Sequence, residues 1–268
     1  MCDASIAVFD SGLGGLTVLK EVMRALPHEN ILYFGDMARV PYGGRSPKTI
    51  IRYALENVRF LMQRPIKCLV VACHTVSAYA LQDLQREFSI PVLGVIEPLV
   101  QEVFKKNPKR ILILATQATI ASNIYPTRIL EKDPKMEIFS IAAPLFVPLV
   151  EEGLGAHLAT DLIVKEYFRQ IEGQNIDAAI LGCTHYPLIR EAIQKGLGEK
   201  VLLIESGAPT AKALCQLLEK EGLLSQRALG KLSFIVTDQR EKFCRLASDF
   251  LGQAIDLEDV EEVDVAVL

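Results

Sequence analysis

The sequence predicts an α/β fold with mainly parallel sheets, and three observations carry that prediction. Short apolar runs recur along the 268 residues, and they are apolar throughout rather than alternating, as strands buried on both faces require. Amphipathic stretches lie between them and supply the crossover helices that parallel strands need. An apolar run ending in a cysteine occurs twice, at Val70, Val71, Ala72, Cys73 and at Ile180, Leu181, Gly182, Cys183, an echo that two similar α/β lobes would explain.

The elements follow in chain order. The first strand is predicted at 6–9, and the spacing of Leu19, Val22, Met23 and Leu26 predicts a helix behind it. A second strand at 31–34 leads to Ser46 and Pro47, which read as an N-cap and a proline at the first helical position. The helix they open buries Ile51, Ala54, Leu55, Val58 and Met62. A strand at 67–72 ends at Cys73, and a third helix follows it with Leu81, Leu84 and Phe88 on one face. Further strands are predicted at 92–95, 110–115, 176–181 and 201–204. In the acidic tail at 256–264, charges interleave with Leu257, Val260 and Val263, which fits a final edge strand and a solvated end equally. No Gly/Ser linker or low-complexity tract marks a domain boundary.

Lysine and arginine total 29 against 33 acidic residues, a formal charge of −4, which argues against broad binding of nucleic acid or anionic membrane. No run approaches the roughly 18 apolar residues of a membrane span, and residues 1–5 show no secretory n-region, so a cytoplasmic protein is expected. The six cysteines are scattered, and in a reducing compartment they should be free thiols.

Three segments could carry chemistry. Asp10, Ser11, Gly12, Leu13, Gly14 and Gly15 join the first strand to the first helix. The dinucleotide fingerprint needs a glycine where Thr17 stands, and no P-loop lysine follows. A tight turn accounts for the glycines, and so does a turn whose amides bind a carboxylate while presenting Asp10 and Ser11 at the carboxyl edge of the sheet. The second feature is the pair of turns Cys73-His74-Thr75 and Cys183-Thr184-His185. Each sets a thiol at the end of a buried strand, where the next helix is expected to lower its pKa. Inert core packing would explain either cysteine alone. A zinc site lacks the usual set of close cysteines, and a Cys/His hydrolase leaves the repetition unexplained. The third is Gly35, Asp36 and then Pro41, Tyr42, Gly43, Gly44, Arg45, a turn in any reading, whose tyrosine and glycine amides could line a pocket. Glu152, after the Pro-containing stretch 143–150, is a weaker candidate that an exposed helix carboxylate would also explain.

The segments FDSGLGGLTV, YFGDMARVPYG, VVACHTVSA, GVIEP and LGCTHYPLI occur in this chain in an order that resembles the glutamate racemases of the aspartate/glutamate racemase superfamily. The likeness runs from about residue 6 to the TDQREKF segment, nearly the whole chain. It implies two α/β lobes with the active site in the cleft between them. Residues 1–97 with 208–268 would form the lobe carrying Cys73, and 98–207 the lobe carrying Cys183. It also implies a cofactor-independent enzyme without a metal, which interconverts L- and D-glutamate and supplies the D-isomer for peptidoglycan.

Inverting an α-carbon requires a proton to leave one face and another to arrive on the opposite face, so two acid/base groups must flank the substrate. A thiolate and a thiol at Cys73 and Cys183 would do this, and cysteine's ordinary pKa of about 8.5 suits either role. By the resemblance Asp10 assists Cys73, His185 assists Cys183, and Glu152 is a further helper. Substrate contacts carry over to Asp10, Ser11, Tyr42, Gly43, His74, Thr75, Thr184 and His185. One position departs from the family pattern: His74 stands where asparagine is usual, and an imidazole offers a different donor and acceptor geometry. The expectation is that His74 weakens or re-aims substrate binding and perturbs the Cys73 pKa. The family is commonly dimeric, so a homodimer is expected. Racemisation of another amino acid such as aspartate, or a weakly active ligand-binding protein on the same scaffold, are the competing readings.

Overall fold

The computed structural model describes residues 4–265, so Cys2 and its expected free thiol lie outside the described residues. Two parallel sheets organise the chain, as the sequence predicts. The strands are β1 (Ser5–Asp10), β2 (Ile31–Gly35), β3 (Ile66–Val71), β4 (Val92–Gly94), β5 (Arg110–Ala115), β6 (Glu137–Ala142), β7 (Ala178–Gly182), β8 (Leu202–Ile204), β9 (Leu232–Val236) and β10 (Val260–Glu262). The larger sheet has the order β10-β9-β2-β1-β3-β4 and the smaller β6-β5-β7-β8, with every pairing parallel.

This order explains the cysteine echo. In each sheet the first strand is central, the second lies to one side of it and the third to the other. The chain therefore reverses its direction of winding beside β1 and again beside β5, and such a switch point opens a crevice beyond the carboxyl ends of the strands. β3 and β7 occupy the same place in the two sheets, so the cysteines that follow them sit at equivalent crevices. Sheet membership changes between β4 and β5 and again between β8 and β9. Pro98 lies in the helix Ile96–Lys106, and Gly207 opens the helix Gly207–Lys220.

Both faces of each sheet are covered. On one face of the larger sheet Leu16, Leu19 and Val22 pack with Leu214, Leu218 and Phe243, and on the other Ile50, Ala54 and Val58 pack with Val76 and Leu84. Ser46 caps the helix Pro47–Leu61 as expected, its side chain accepting from the Thr49 N–H. A buried ion pair at the amino ends of the strands, Lys67 with Glu29, also holds the Leu223 carbonyl and the Ser225 N–H, and so ties down the segment leading to β9.

Three elements depart from the sequence reading. The helix after Cys73 is two helices, His74–Tyr79 and Leu81–Glu87, with a break at Ala80 (φ −110°). Beyond the break Leu81 packs over Gly94 together with Ser77, and a Cβ there would meet a Leu81 methyl at 2.7 Å. β6 escapes prediction because it is a half-exposed edge strand interrupted by Ser140, and β9 because Ser233 interrupts its short run. The acidic tail supplies β10, the edge strand beside β9.

Candidate active site

β1 delivers Asp10 to the crevice fully buried, and the following turn folds back on it: Asp10 Oδ2 accepts from the Gly12 N–H at 3.0 Å. The Tyr33 hydroxyl donates to the Gly12 carbonyl at 2.8 Å and braces the turn from β2. Two of the glycines are steric necessities. A Cβ on Gly15 would strike the Asp10 side chain, and a Cβ on Gly14 would strike Thr184 and His185 of the other lobe. The glycine turn is thus the surface on which the Cys183 turn rests.

Cys73 is separated from β3 by one residue and directly precedes the helix His74–Tyr79, and its Sγ lies 3.3 Å from Ser11 Oγ. Burial pushes the Cys73 thiol up to about 12, and the Asp10 carboxylate adds to the rise, while the hydrogen bonds of Ser11 and the Val76 amide oppose it. The expected lowering by the helix start is therefore overturned at Cys73: one amide does not offset complete burial beside a carboxylate. The group that touches Cys73 is Ser11, and Asp10 acts on it through charge. Burial also raises the Asp10 carboxyl, against the opposing effects of His185, the Gly12 and Gly15 amides and Thr184.

The second wall is built differently. His185 places Nδ1 3.9 Å from Cys183 Sγ and Nε2 3.0 Å from Glu151 Oε1. Burial disfavours its charged form, but hydrogen bonds to Cys183 and Glu151 outweigh that and raise His185 to about 10. Burial pushes Glu151 up, but the hydrogen bond and charge of His185, helped by Lys242, hold it below the usual carboxylate range. At neutral pH His185 is therefore an imidazolium between a sulfur and a carboxylate. Thr184 donates to Asp10 Oδ1 at 3.4 Å, and Thr17 donates to the Thr184 carbonyl at 3.0 Å, so both walls are stitched together across the cleft.

The carboxylate expected at Glu152 is a correction. Glu152 is 70% exposed, and the nearest charge to it is Lys242 at 3.9 Å, whereas its neighbour Glu151 ends the helix Phe146–Glu151 facing inward. Pro144, Val147, Pro148 and Glu151 line the cavity at helical spacing, and that stripe is the signal in the sequence that selects Glu151.

Both cysteines, Ser11, Tyr42, Gly43, His74, Thr75, Thr184 and His185 line one cavity of about 320 Å³, and Asp10 lies directly behind Ser11 and Thr184. Tyr42 and His74 do not present their polar atoms there freely. The Tyr42 hydroxyl donates to the buried Asp36 and is approached by Asn57, so the ring forms a wall. Both ring nitrogens of His74 are engaged by Tyr125 and Ser206. Neither does His74 figure among the groups that shift Cys73. Gly43 packs so closely on Thr116 that no Cβ fits.

Thr116 and Thr119 are functional candidates that the motifs do not reveal. Their hydroxyls and that of Thr75 form a buried triangle with edges of 2.9, 3.1 and 2.9 Å across the two lobes. Thr116 directly follows β5 at the second switch point, so the rule that selects Cys73 and Cys183 selects it as well. Among the described residues no three His, Cys, Asp or Glu side chains are grouped to hold a metal ion, and no helix is long and apolar enough to cross a membrane.

The chain is similar to known proteins over most of its length. Residues 12–214 match the model of the Asp/Glu/Hydantoin racemase family. A glutamate racemase of Geobacter metallireducens is 44% identical over 250 residues, 92% of this chain and 93% of that protein. The crystal structure of a glutamate racemase isoform from Bacillus anthracis superposes with a TM-score of 0.93 at 40% identity, covering 98% of each chain. That of the Francisella tularensis glutamate racemase in complex with D-glutamate does so with a TM-score of 0.93 at 39% identity, covering 100% of each.

Proposed function

The chain belongs to the Asp/Glu/Hydantoin racemase family, and from that premise we propose that it interconverts L- and D-glutamate with Cys73 and Cys183 as the two acid/base groups. The observation that carries this reading is the placement of two thiols, each with its own proton-handling partners, in the walls of one small cavity contributed by two sheets. One sulfur, as thiolate, takes the α-proton and becomes a thiol. The opposite thiol gives its proton to the other face of the planar carbanion and becomes the thiolate. The two sulfurs exchange states in each turnover, and the reverse reaction starts from the exchanged pair.

The surroundings support the assignment. The threonine triangle and the amides of the adjoining turns offer hydroxyl and N–H donors suited to a carboxylate. Ser11 attends Cys73, and the His185 imidazolium attends Cys183 with Glu151 fixing its orientation. A cavity of about 320 Å³ lies at the small end of ligand sites, in keeping with a single amino acid. The same reading places the enzyme in a bacterial cytoplasm, making D-glutamate for peptidoglycan.

The test is circular dichroism of L-glutamate and, separately, D-glutamate with the protein in deuterium oxide, alongside α-proton exchange followed by NMR. Loss of optical activity from both enantiomers with deuterium at the α-carbon is expected. Turnover of aspartate alone would reassign the substrate, and no exchange with either amino acid would leave a binding protein.

A further inference from the structure

The imidazole of His74 lies where three chain segments meet, and the chemistry proposed above does not use it. His74 opens the helix His74–Tyr79 between two cavity residues, Cys73 and Thr75. Its Nδ1 is 2.6 Å from the hydroxyl of Tyr125, on the helix Ile124–Leu130 packed against the smaller sheet. Its Nε2 is 3.1 Å from Ser206 Oγ, at the point where the chain leaves β8 and enters the helix Gly207–Lys220. One ring therefore spans the larger sheet's lobe, the smaller sheet's lobe and the return crossing between them.

The hydrogen-bond roles follow from counting donors. Burial holds the conjugate acid of His74 down to about 3, so the ring is neutral, with one donor and one acceptor. Tyr125 is 1% exposed, and His74 is the one acceptor its hydroxyl meets among the described residues. The tyrosine must donate to Nδ1, because the other tautomer would bury its O–H unpaired. Nε2 then carries the proton and donates to Ser206. An asparagine at this position would reach about as far as Nδ1 and fall short of Ser206.

We propose that His74 is a positioning residue, a clasp that fixes the Cys73 turn at a set depth against the second lobe and thereby sets the spacing of the two thiols without touching the substrate. This rests on the two-thiol reading, because spacing matters to rate when two sulfurs must both reach one carbon. Small displacements of reacting groups are costly, about 100-fold in rate for 1 Å in sensitive cases.

The experiment combines steady-state kinetics of wild type, Tyr125→Phe, His74→Asn and the double variant with ¹⁵N spectra of the histidine side chains. Tyr125 does not line the cavity, and Tyr125→Phe removes a single oxygen, so its fold is preserved even if that of His74→Asn is not. The clasp predicts a kcat lowered about 10-fold in each single variant, with KM within about two-fold. The double variant should be no slower than His74→Asn, since both changes break one connection. The wild-type spectrum should show His74 as the Nε2–H tautomer, and Tyr125→Phe should move its Nδ1 resonance. A raised KM with kcat retained in His74→Asn would overturn the proposal and make His74 a substrate contact. Unchanged kcat in Tyr125→Phe would overturn it as well. If wild type fails to racemise glutamate, the two-thiol reading falls and the spacing role falls with it, whereas an unmoved Nδ1 resonance or unchanged kcat in Tyr125→Phe overturns the clasp and leaves that reading standing.

Discussion

The two cysteine walls start from the same local design and end with opposite electrostatics. Each thiol follows a buried parallel strand at a switch point of its sheet. Cys73 then meets the field of a buried carboxylate, which together with burial keeps it a protonated thiol up to about 12 against the opposing hydrogen bond of Ser11. Cys183 meets an imidazolium whose proton is held in place by Glu151. The turn fixes where a sulfur sits, and the charge it faces comes from Asp10 of β1 at Cys73 and from His185, two residues on, at Cys183.

Removing either sulfur tests the comparison most severely. Cys73→Ala and Cys183→Ala should each lower racemisation at least about 10³-fold, the upper range for loss of a positioned acid or base. The comparison is sharpened by α-proton exchange. Each variant retains one base, so each should wash deuterium into only one glutamate enantiomer, and the two variants should choose opposite ones. Exchange of both enantiomers by either variant would mean that the remaining wall serves both faces.

His185 is the next largest lever. His185→Asn keeps a hydrogen-bonding group but removes the cation, and we expect a loss of about 10²-fold. In wild type, activity should fall as pH rises through about 10, where His185 loses its proton, and that limb should be absent from the variant. Stability follows the same sign. The folded value of about 10 lies above the ordinary 6.5, so the stabilisation from this charge is complete below 6.5 and is lost as pH rises toward 10. Thermal melts across that window should show the decline in wild type and a flatter profile in His185→Asn.

The placement of the two walls could be read in the chain, but not the asymmetry between them. The two cysteines, Ser11, Thr75, Thr184 and His185 follow directly from strand ends and short turns, where sequence neighbours are also spatial neighbours. The α/β fold and its echo were legible for the same reason: buried parallel strands leave unbroken apolar runs. What was not legible depends on contacts between lobes. The threonine triangle joins Thr75 to Thr116 and Thr119, and the partners of His74 lie at positions 125 and 206, separations that no local pattern encodes. The helix-start argument for a lowered Cys73 pKa failed because burial and the charge of Asp10, both tertiary quantities, are larger than one amide.

Asp10 carries a smaller effect that separates charge from contact. It touches the Gly12 amide and Thr184 rather than Cys73, yet its carboxylate raises the Cys73 thiol. Asp10→Asn keeps its amide oxygen as the acceptor for the Gly12 N–H, turns its NH2 to the Thr184 hydroxyl as a donor, and removes the charge. The Cys73 thiol should then titrate lower than in wild type, read from pH-dependent thiolate absorbance in a Cys183→Ala background. Racemisation should fall about 10-fold, since the proton balance of one wall changes while its geometry persists. An unmoved thiol titration would show that burial alone holds the proton on Cys73.

The smallest effect comes from two adjacent glutamates, and it isolates what makes the Cys183 wall distinct. Glu151 and Glu152 share a helix end and a side-chain chemistry, but one contacts His185 at 3.0 Å and the other is 70% exposed to solvent. Glu151→Gln leaves the hydrogen bond to Nε2 and removes the charge that favours the imidazolium, so it should lower racemisation about 3- to 10-fold and bring the basic limb to lower pH. Glu152→Gln should change the rate less than two-fold, as expected of a surface carboxylate whose pairing with Lys242 is screened by water. If the two variants behaved alike, the imidazolium of His185 would owe nothing to the charge of Glu151, and the contrast between the walls would reduce to the imidazole itself.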